Sequence, residues 1–219
     1  THLTRLTSLR PQLEEAEAAS GIRFLLGCEI DYFPCVGKPY ISPEESLAFD
    51  YVMIAASHLL NYPHMYTTYD LYNPDVVRRL MIERFFAACA LEYPVPMAIC
   101  HPLYPICSPH QAAIMDGISD ACLNECCSMA AERGISMEIH ACLYRHDTPL
   151  NDEGLSERFL RVLAEAKRCG CKFHMGADAH APEAFTGGVH DRLRRAAEIL
   201  GLTEADIWEP AKGIIRRRG

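Results

Sequence analysis

Several features that mark other classes of protein are missing from this chain of 219 residues. No apolar run approaches the length of a membrane span, and no signal-peptide pattern stands near the start, which predicts a cytoplasmic protein. Paired Cys-x-x-Cys spacings are also missing, which argues against a zinc ribbon. The 11 cysteines are scattered and odd in number, so we expect buried free thiols rather than a disulfide framework.

Positive charge is scarce. The 21 basic side chains are outnumbered by 29 acidic ones. The resulting formal net charge of −8 argues against a protein whose main role is to bind the phosphate backbone of a nucleic acid. The basic cluster at 216–218 is interpreted as a solvated chain end. We therefore expect neither a membrane nor a nucleic acid polymer as the main partner. These features do not predict the oligomeric state.

The chain is organised as one unit. Its length suits a single domain with a buried core, and no repeat or low-complexity tract divides residues 1–219. Five apolar runs of strand length begin at Phe24, Tyr51, Met97, Ser136 and Lys172. Helical patterns alternate with them, over about 8–19, 74–91, 109–133, 154–167 and 182–200. This alternation predicts an α/β domain with a parallel sheet, either a barrel or an open doubly wound sheet.

A long segment that is rich in tyrosine follows His58. Long structured loops in compact domains tend to be lids or binding loops. His64, Tyr66 and Tyr69 are therefore candidates to cover a substrate. Packing of the tyrosines on the protein surface is the alternative.

Metal-capable side chains stand at or next to the carboxyl end of every predicted strand. The five strand ends read GCEID, ASH, CHP, MEIH and GADAH. Carboxyl ends of parallel strands meet at one edge, where barrels and open α/β sheets build their sites. Imidazoles with carboxylates, and without thiolates aligned beside them, suit Zn, Mn or Fe. The donors exceed what one tetrahedral ion needs, so we expect two or more ions.

The last of these motifs predicts a shared face. In an extended strand Asp178 and His180 point to the same side, and His174 lies deeper on that side. The pair can be two ligands of one metal ion or a surface pair. His174 is interpreted as a core histidine with its hydrogen bonds satisfied.

The ordered set of motifs resembles the PHP (polymerase and histidinol phosphatase) superfamily, most of all its stand-alone histidinol-phosphatase-type members. The resemblance covers residues from about 22 to 201. It implies a distorted (β/α)7 barrel with two or three divalent metal ions at the carboxyl ends of the strands. It also implies that Glu29 bridges ions and that the metal ligands are Glu29, His58, His101, Asp178 and His180.

The chain departs from this superfamily at three points. The His-x-His strand that opens the family's barrel is not found, and we expect it upstream of Thr1. His2 is the candidate for a further ligand histidine that the family places between that strand and Glu29. His140 stands where the family commonly has asparagine, and Ala177 where it frequently has serine.

The resemblance implies a metal-dependent hydrolase of a phosphate monoester on a small metabolite. A hydroxide held between the ions would attack phosphorus, with Glu29 and Asp178 as the catalytic carboxylates that hold the ions. Glu138 and His140 are expected to support the ligands, Glu138 by accepting a ring N–H. A salt bridge lining the barrel is the alternative for Glu138. Asp31 either orients a neighbour or caps the following turn.

Other roles and other functions stay open. Arg145 and His64 are candidates to bind the substrate, Arg145 through a bidentate contact with phosphate. A phosphodiesterase or exonuclease that acts on nucleotides is one alternative function. A PHP-like barrel without catalytic activity is another, and an amidohydrolase-type metal hydrolase is a more distant one.

Overall fold

Five parallel strands form the centre of the computed structural model, which describes residues 2–33, 38–59, 63–106, 108–141, 155–181, 188–208 and 210. The strands are β1 (Gly27–Phe33), β3 (Tyr51–Ala55), β4 (Met97–Ile99), β5 (Ser136–His140) and β6 (Phe173–Gly176). A two-residue strand, β2 (Lys38–Pro39), pairs antiparallel with β1. The order β2-β1-β3-β4-β5-β6 confirms the predicted α/β fold with a parallel sheet. Among the described residues no strand pairing closes this sheet into a barrel.

The helices occupy the connections between the strands. They are α1 (His2–Thr7), α2 (Arg10–Ser20), α3 (Pro43–Ser46), α4 (Pro74–Cys89), α5 (Gln111–Asp116), α6 (Asp120–Glu132), α7 (Leu155–Arg168) and α8 (Val189–Ile199). The start of α4 follows its sequence signal, since Asn73 accepts a hydrogen bond from the Asp75 backbone N–H and Pro74 occupies the first turn. No helix in the described part of the chain is long and apolar enough to cross a membrane.

The prediction of a single helix over 109–133 is wrong. The segment holds α5 and α6, separated by a turn at 117–119. Ser119 is extended and its side chain accepts a hydrogen bond from the Cys122 backbone N–H, which starts a new helix. Of the helix expected over 182–200, the part before 188 lies outside the described residues. In the segment after His58, the turn Pro63–Tyr66 is a single stretch of 3-10 helix.

Strand register gives the sheet two unlike faces. Across the sheet Glu29 pairs with Met53, Met53 with Ala98, and Ala98 with Ser136. Two residues further along β5, Glu138 pairs with His174. The polar side chains of Glu29, Glu138 and His174 therefore share one face, called here the inner face. On the opposite face the aligned side chains are apolar and buried, and they include Ile54, Ile99, Met137 and Phe173.

The apolar face carries the main core. Phe85 of α4, Leu123 of α6 and Phe159 of α7 are almost fully buried there. They form one cluster with the strand residues Ile99 and Phe173. Full burial of one such side chain stabilises the fold by about 1.5–3 kcal/mol. The eight described cysteines are free and six are buried, as predicted. Burial raises the pKa of the Cys89 thiol to about 12, which keeps it protonated.

The C-terminal part of the described chain closes the amino end of the inner face. Ile207 forms an isolated parallel bridge with Phe173, and the Trp208 backbone N–H donates to the Phe173 carbonyl at 2.7 Å. The Trp208 ring then contacts Tyr51 of β3 and His174 of β6, with centroid distances of 5.7 and 5.6 Å. The carboxyl end of the inner face holds the polar side chains described next.

Candidate metal centre

His101 lies at the middle of the polar cluster, two residues after the end of β4. Its ring is almost completely buried, and its Nδ1 lies 2.8 Å from Ser57 Oγ. Its backbone N–H donates to Glu138 Oε2 at 2.7 Å. Because Nδ1 is occupied by the serine, Nε2 is the ring atom that faces the cluster.

The distance from that atom to Glu29 is not a hydrogen-bond distance. His101 Nε2 lies 3.9 Å from Glu29 Oε1, whereas hydrogen bonds in the same cluster measure 2.7–2.9 Å. Two ligands of one tetrahedral ion, bound at 2.0–2.3 Å, stand about 3.3–3.8 Å apart. The separation of Glu29 and His101 is close to that value.

A second pair of donors repeats this spacing. His140 Nε2, at the end of β5, lies 3.8 Å from Asp178 Oδ2. The His140 side chain is buried, whereas 46% of the Asp178 side chain is exposed. Asp178 has a left-handed backbone, with φ at 48°, which is uncommon for a residue other than glycine. Both donor pairs therefore combine a buried imidazole with a carboxylate that reaches solvent.

Glu138 lies between the two pairs on β5 and is 3% exposed. The pKa of its carboxyl group is raised to about 8, mainly by burial; the hydrogen bond from the His101 backbone N–H opposes the shift, and the neighbouring carboxylates of Glu29 and Asp178 add to it. The space for its carboxylate depends on Gly176, because a Cβ at that position would overlap Glu138 Oε1.

His58 extends the cluster toward β1. Its Nδ1 lies 2.9 Å from Asp31 Oδ1, and its ring stacks on that of His101 with centroids 4.9 Å apart. Of the two roles predicted for Asp31, the structure therefore places it beside a neighbour that it orients. A carboxylate at Nδ1 fixes the ring and leaves Nε2 for a metal ion.

The charges of the cluster suit a cation. Burial lowers the pKa of His101 to about 3, with further contributions from His58 and His140, so its ring is neutral, the form that binds metal. Partial burial raises the pKa of Glu29; His58 and the Cys100 thiol lower it, and Asp178 and Asp31 raise it. In the described part of the chain the ion-pair partner of Glu29 is His101, and no lysine or arginine forms a salt bridge with Glu29 or Glu138.

Donor atoms come close enough for metal binding in two overlapping groups. Within each group the atoms lie within 4.8 Å of one another, and His101 belongs to both. The groups are Glu29, Cys100 and His101, and His101, Glu138 and His140. Glu138 and His140 are both expected from the sequence to support the ligands, but both stand among the candidate ligands themselves. Glu138 accepts the backbone N–H of His101 and not the expected ring N–H.

Other predicted site residues are not brought into these groups. The strand ends at Gly176, so the expectation that Asp178 and His180 share a strand face is wrong. The His180 side chain is 85% exposed, and its Nδ1 bonds to the Asp178 backbone carbonyl at 2.9 Å. His64 is exposed in the turn Pro63–Tyr66. His2 lies in α1, its side chain outside the described part of the chain, and Arg145 falls wholly outside the described residues.

Three contributors escaped prediction from the sequence. Cys100 supplies a donor, Ser57 anchors His101, and Gly176 makes room for Glu138. Ser57 and Cys100 each precede a predicted ligand, and alternation along an extended strand places adjacent residues on opposite faces. A signal for Gly176 is visible only once β5 and β6 are paired in register.

Comparison with known proteins adds no relative. No model of a known protein family matches the chain, and no curated protein is significantly similar to it in sequence. The chain is thus an α/β protein with a five-strand parallel sheet and a buried group, His101, Glu138 and His140, that could hold a metal ion.

Proposed function

We propose that the protein is a metal-dependent phosphoesterase of the PHP type, which hydrolyses a phosphate monoester on a small metabolite. The observation that carries the proposal is the convergence of imidazole and carboxylate donors from β1, β4 and β5 and from Asp178, at separations suited to shared ions. Two or three divalent ions of Zn, Mn or Fe suit this donor set. The ions, when bound, act as Lewis acids toward phosphate and lower the pKa of water toward about 7.

The sheet supports a barrel of the (β/α)7 type. The five parallel strands lie in the sheet in their chain order, so right-handed connections place the helices on one face. In a flat sheet β1 and β4, with β3 between them, would lie about 10 Å apart, two strand spacings. Glu29 on β1 and His101 after β4 nevertheless bring their side chains within 3.9 Å, which supports a sheet that curves toward its inner face.

Access from one side supports a catalytic rather than a purely structural centre. The side chains of Glu29 and Asp178 are 38% and 46% exposed, whereas His101, Glu138 and His140 are buried beneath them. A substrate phosphate could therefore reach ions held by the two carboxylates from the solvent side. The buried residues hold the centre from below, and Asp31 orients His58 at its edge.

Metal analysis tests the proposal first. The purified protein is expected to carry at least two equivalents of Zn, Mn or Fe, and Asp178→Ala to lose a large part of them. Less than one equivalent, unchanged by that substitution, would contradict the proposal and favour a barrel without catalytic activity.

A substrate panel tests the reaction. The metal-loaded protein is expected to hydrolyse phosphate monoesters of small metabolites faster than phosphodiesters or short oligonucleotides. A preference for diesters would replace the monoesterase with the phosphodiesterase alternative while leaving the metal centre in place. No hydrolysis of either panel by the loaded protein would argue against an enzyme.

A further inference from the structure

We infer that the Cys100 thiol is a ligand of the ion held by Glu29 and His101, so that this part of the centre carries a sulfur donor. The inference rests on the metal centre of the proposed function and not on the phosphatase reaction. Among the described cysteines, Cys100 is the one that the fold brings within 4.8 Å of both a carboxylate and an imidazole donor.

Strand register directs Cys100 toward the centre. Glu29 pairs with Met53, and Met53 with Ala98. The strand pairing continues past β4, because the Cys100 backbone N–H donates to the Ile54 carbonyl at 3.3 Å. Two residues after Ala98, Cys100 therefore faces the same side as Glu29, away from the apolar core.

The backbone at His101 turns the next side chain into the same space. In a continuing strand His101 would face the opposite side from Cys100. Instead, φ at His101 is 38°, in the left-handed region that is uncommon for a residue other than glycine. Strain of this kind concentrates at functional sites. Here it lets two consecutive residues present sulfur and nitrogen donors to one position.

The surroundings of Cys100 differ from those of the other buried cysteines. Cys89 and Cys171 lie in the apolar cluster beneath the helices. Cys100 is 1% exposed, and its sulfur lies within 4.8 Å of the donor atoms of Glu29 and His101. A bound cation replaces the thiol proton: the S–H bond breaks, a sulfur–metal bond forms, the proton passes to solvent, and no atom changes oxidation state.

A sulfur ligand changes which metal the centre prefers. Thiolates are soft ligands that favour zinc, whereas manganese is better suited by carboxylates and water. The position of Glu29, Cys100 and His101 is therefore expected to take zinc in preference to manganese. Replacement of Cys100 by a residue without sulfur is expected to reduce the preference for zinc over manganese.

Cobalt spectroscopy tests the inference without an enzyme assay. The protein is stripped of metal and titrated with Co²⁺, and cobalt bound to thiolate gives an intense sulfur-to-cobalt charge-transfer band in the near ultraviolet. We expect this band in the unsubstituted protein and in Cys89→Ser, a control that alters an equally buried thiol. We expect it to disappear in Cys100→Ser, which still binds cobalt through Glu29 and His101 and keeps its visible bands.

The outcomes separate this inference from the proposed function. Bound cobalt without a charge-transfer band, or a band that persists in Cys100→Ser, overturns the sulfur ligand and leaves the metal centre standing. Failure of the unsubstituted protein to bind cobalt overturns both. If Cys100→Ser does not fold, as judged by circular dichroism, Cys100→Ala removes the same sulfur without placing a hydroxyl in the buried site, and the same criteria apply to it.

Discussion

Two histidines at opposite ends of the inner face, the buried His101 and the half-buried His174, have the same anchor at Nδ1 and different surroundings. Nδ1 of His101 lies 2.8 Å from Ser57 Oγ, and Nδ1 of His174 lies 2.8 Å from Ser136 Oγ. Burial lowers the pKa of both rings, of His101 to about 3 and of His174 to about 4, so both are neutral near pH 7. By these measures the two side chains are nearly equivalent.

The other ring nitrogen separates them. His101 Nε2 faces Glu29 at 3.9 Å, within a cluster of further donors. His174 Nε2 has no hydrogen-bond partner among the residues that the structure describes, and its ring lies beside Trp208. A serine at Nδ1 therefore fixes a ring without indicating its role. The role follows from the end of the strands: in α/β folds the carboxyl end carries the chemistry, and the amino end contributes stability.

Replacing each ring in turn gives the largest contrast. His101→Ala is expected to weaken metal binding by more than the ~10–100-fold that loss of an outer partner of a metal ligand costs, and to abolish hydrolysis. His174→Ala removes a half-buried ring at the other end and is expected to retain metal. Metal content after gel filtration and a phosphatase assay check both. Equal loss of metal in the two folded variants would contradict the assignment of roles.

Protonation of His174 gives the next largest effect. Its folded-state pKa of about 4 lies below the ordinary value of 6.5, so the folded protein binds fewer protons between these pH values. The stability contributed by the neutral ring is complete above pH 6.5 and is lost as the pH falls toward 4. This group alone is expected to lower the free energy of unfolding by ~3 kcal/mol over that range.

Urea unfolding of the metal-free protein at a series of pH values measures this loss. His174→Gln cannot titrate, so its curve is expected to be flatter than that of the unsubstituted protein between pH 6.5 and 4 by the same amount. Titration of every other group cancels in the difference. Parallel curves would contradict the lowered pKa, because they would mean that His174 binds its proton equally well in the folded and the unfolded state.

The sequence predicts that donor side chains gather at the carboxyl ends of the strands, but it does not predict every residue that joins them. Glu29, His101, Glu138 and His140 stand at strand ends, and parallel pairing brings such positions to one edge whatever the loops do. The predicted α/β sheet follows from the same alternation. What failed depends on single backbone angles. The left-handed backbone at His101 turns its side chain to the face that Cys100 already occupies, so both residues join the cluster. Asp178, also left-handed, lies beyond the end of β6, and His180 is exposed beside it with its Nδ1 3.6 Å from Asp178 Oδ1.

Gly176, the last residue of β6, leaves the space that the Glu138 side chain occupies. It pairs with His140, and a Cβ there would overlap the Glu138 carboxylate. Gly176→Ala is therefore expected to displace Glu138, to lower the free energy of unfolding by about 1–3 kcal/mol and to weaken metal binding. In a Glu138→Ala background the same change is expected to cost less. An equal cost in both backgrounds would show that Glu138 is not the group displaced.

The two serines give the smallest and most closely matched contrast. Ser57→Ala and Ser136→Ala each remove the hydrogen bond to an imidazole, and Ser136→Ala also removes the bond that Ser136 Oγ donates to the Lys172 carbonyl at 3.3 Å. Ser57→Ala is therefore expected to lower the stability of the metal-free protein by ~1 kcal/mol, and Ser136→Ala by ~1–2 kcal/mol. Only Ser57 orients a ring whose Nε2 faces the centre, so only Ser57→Ala is expected to weaken metal binding, by ~10–100-fold in chelator competition. Weaker binding in Ser136→Ala at unchanged affinity in Ser57→Ala would reverse the roles of the two ends, because the anchor at the amino end would then control the ion.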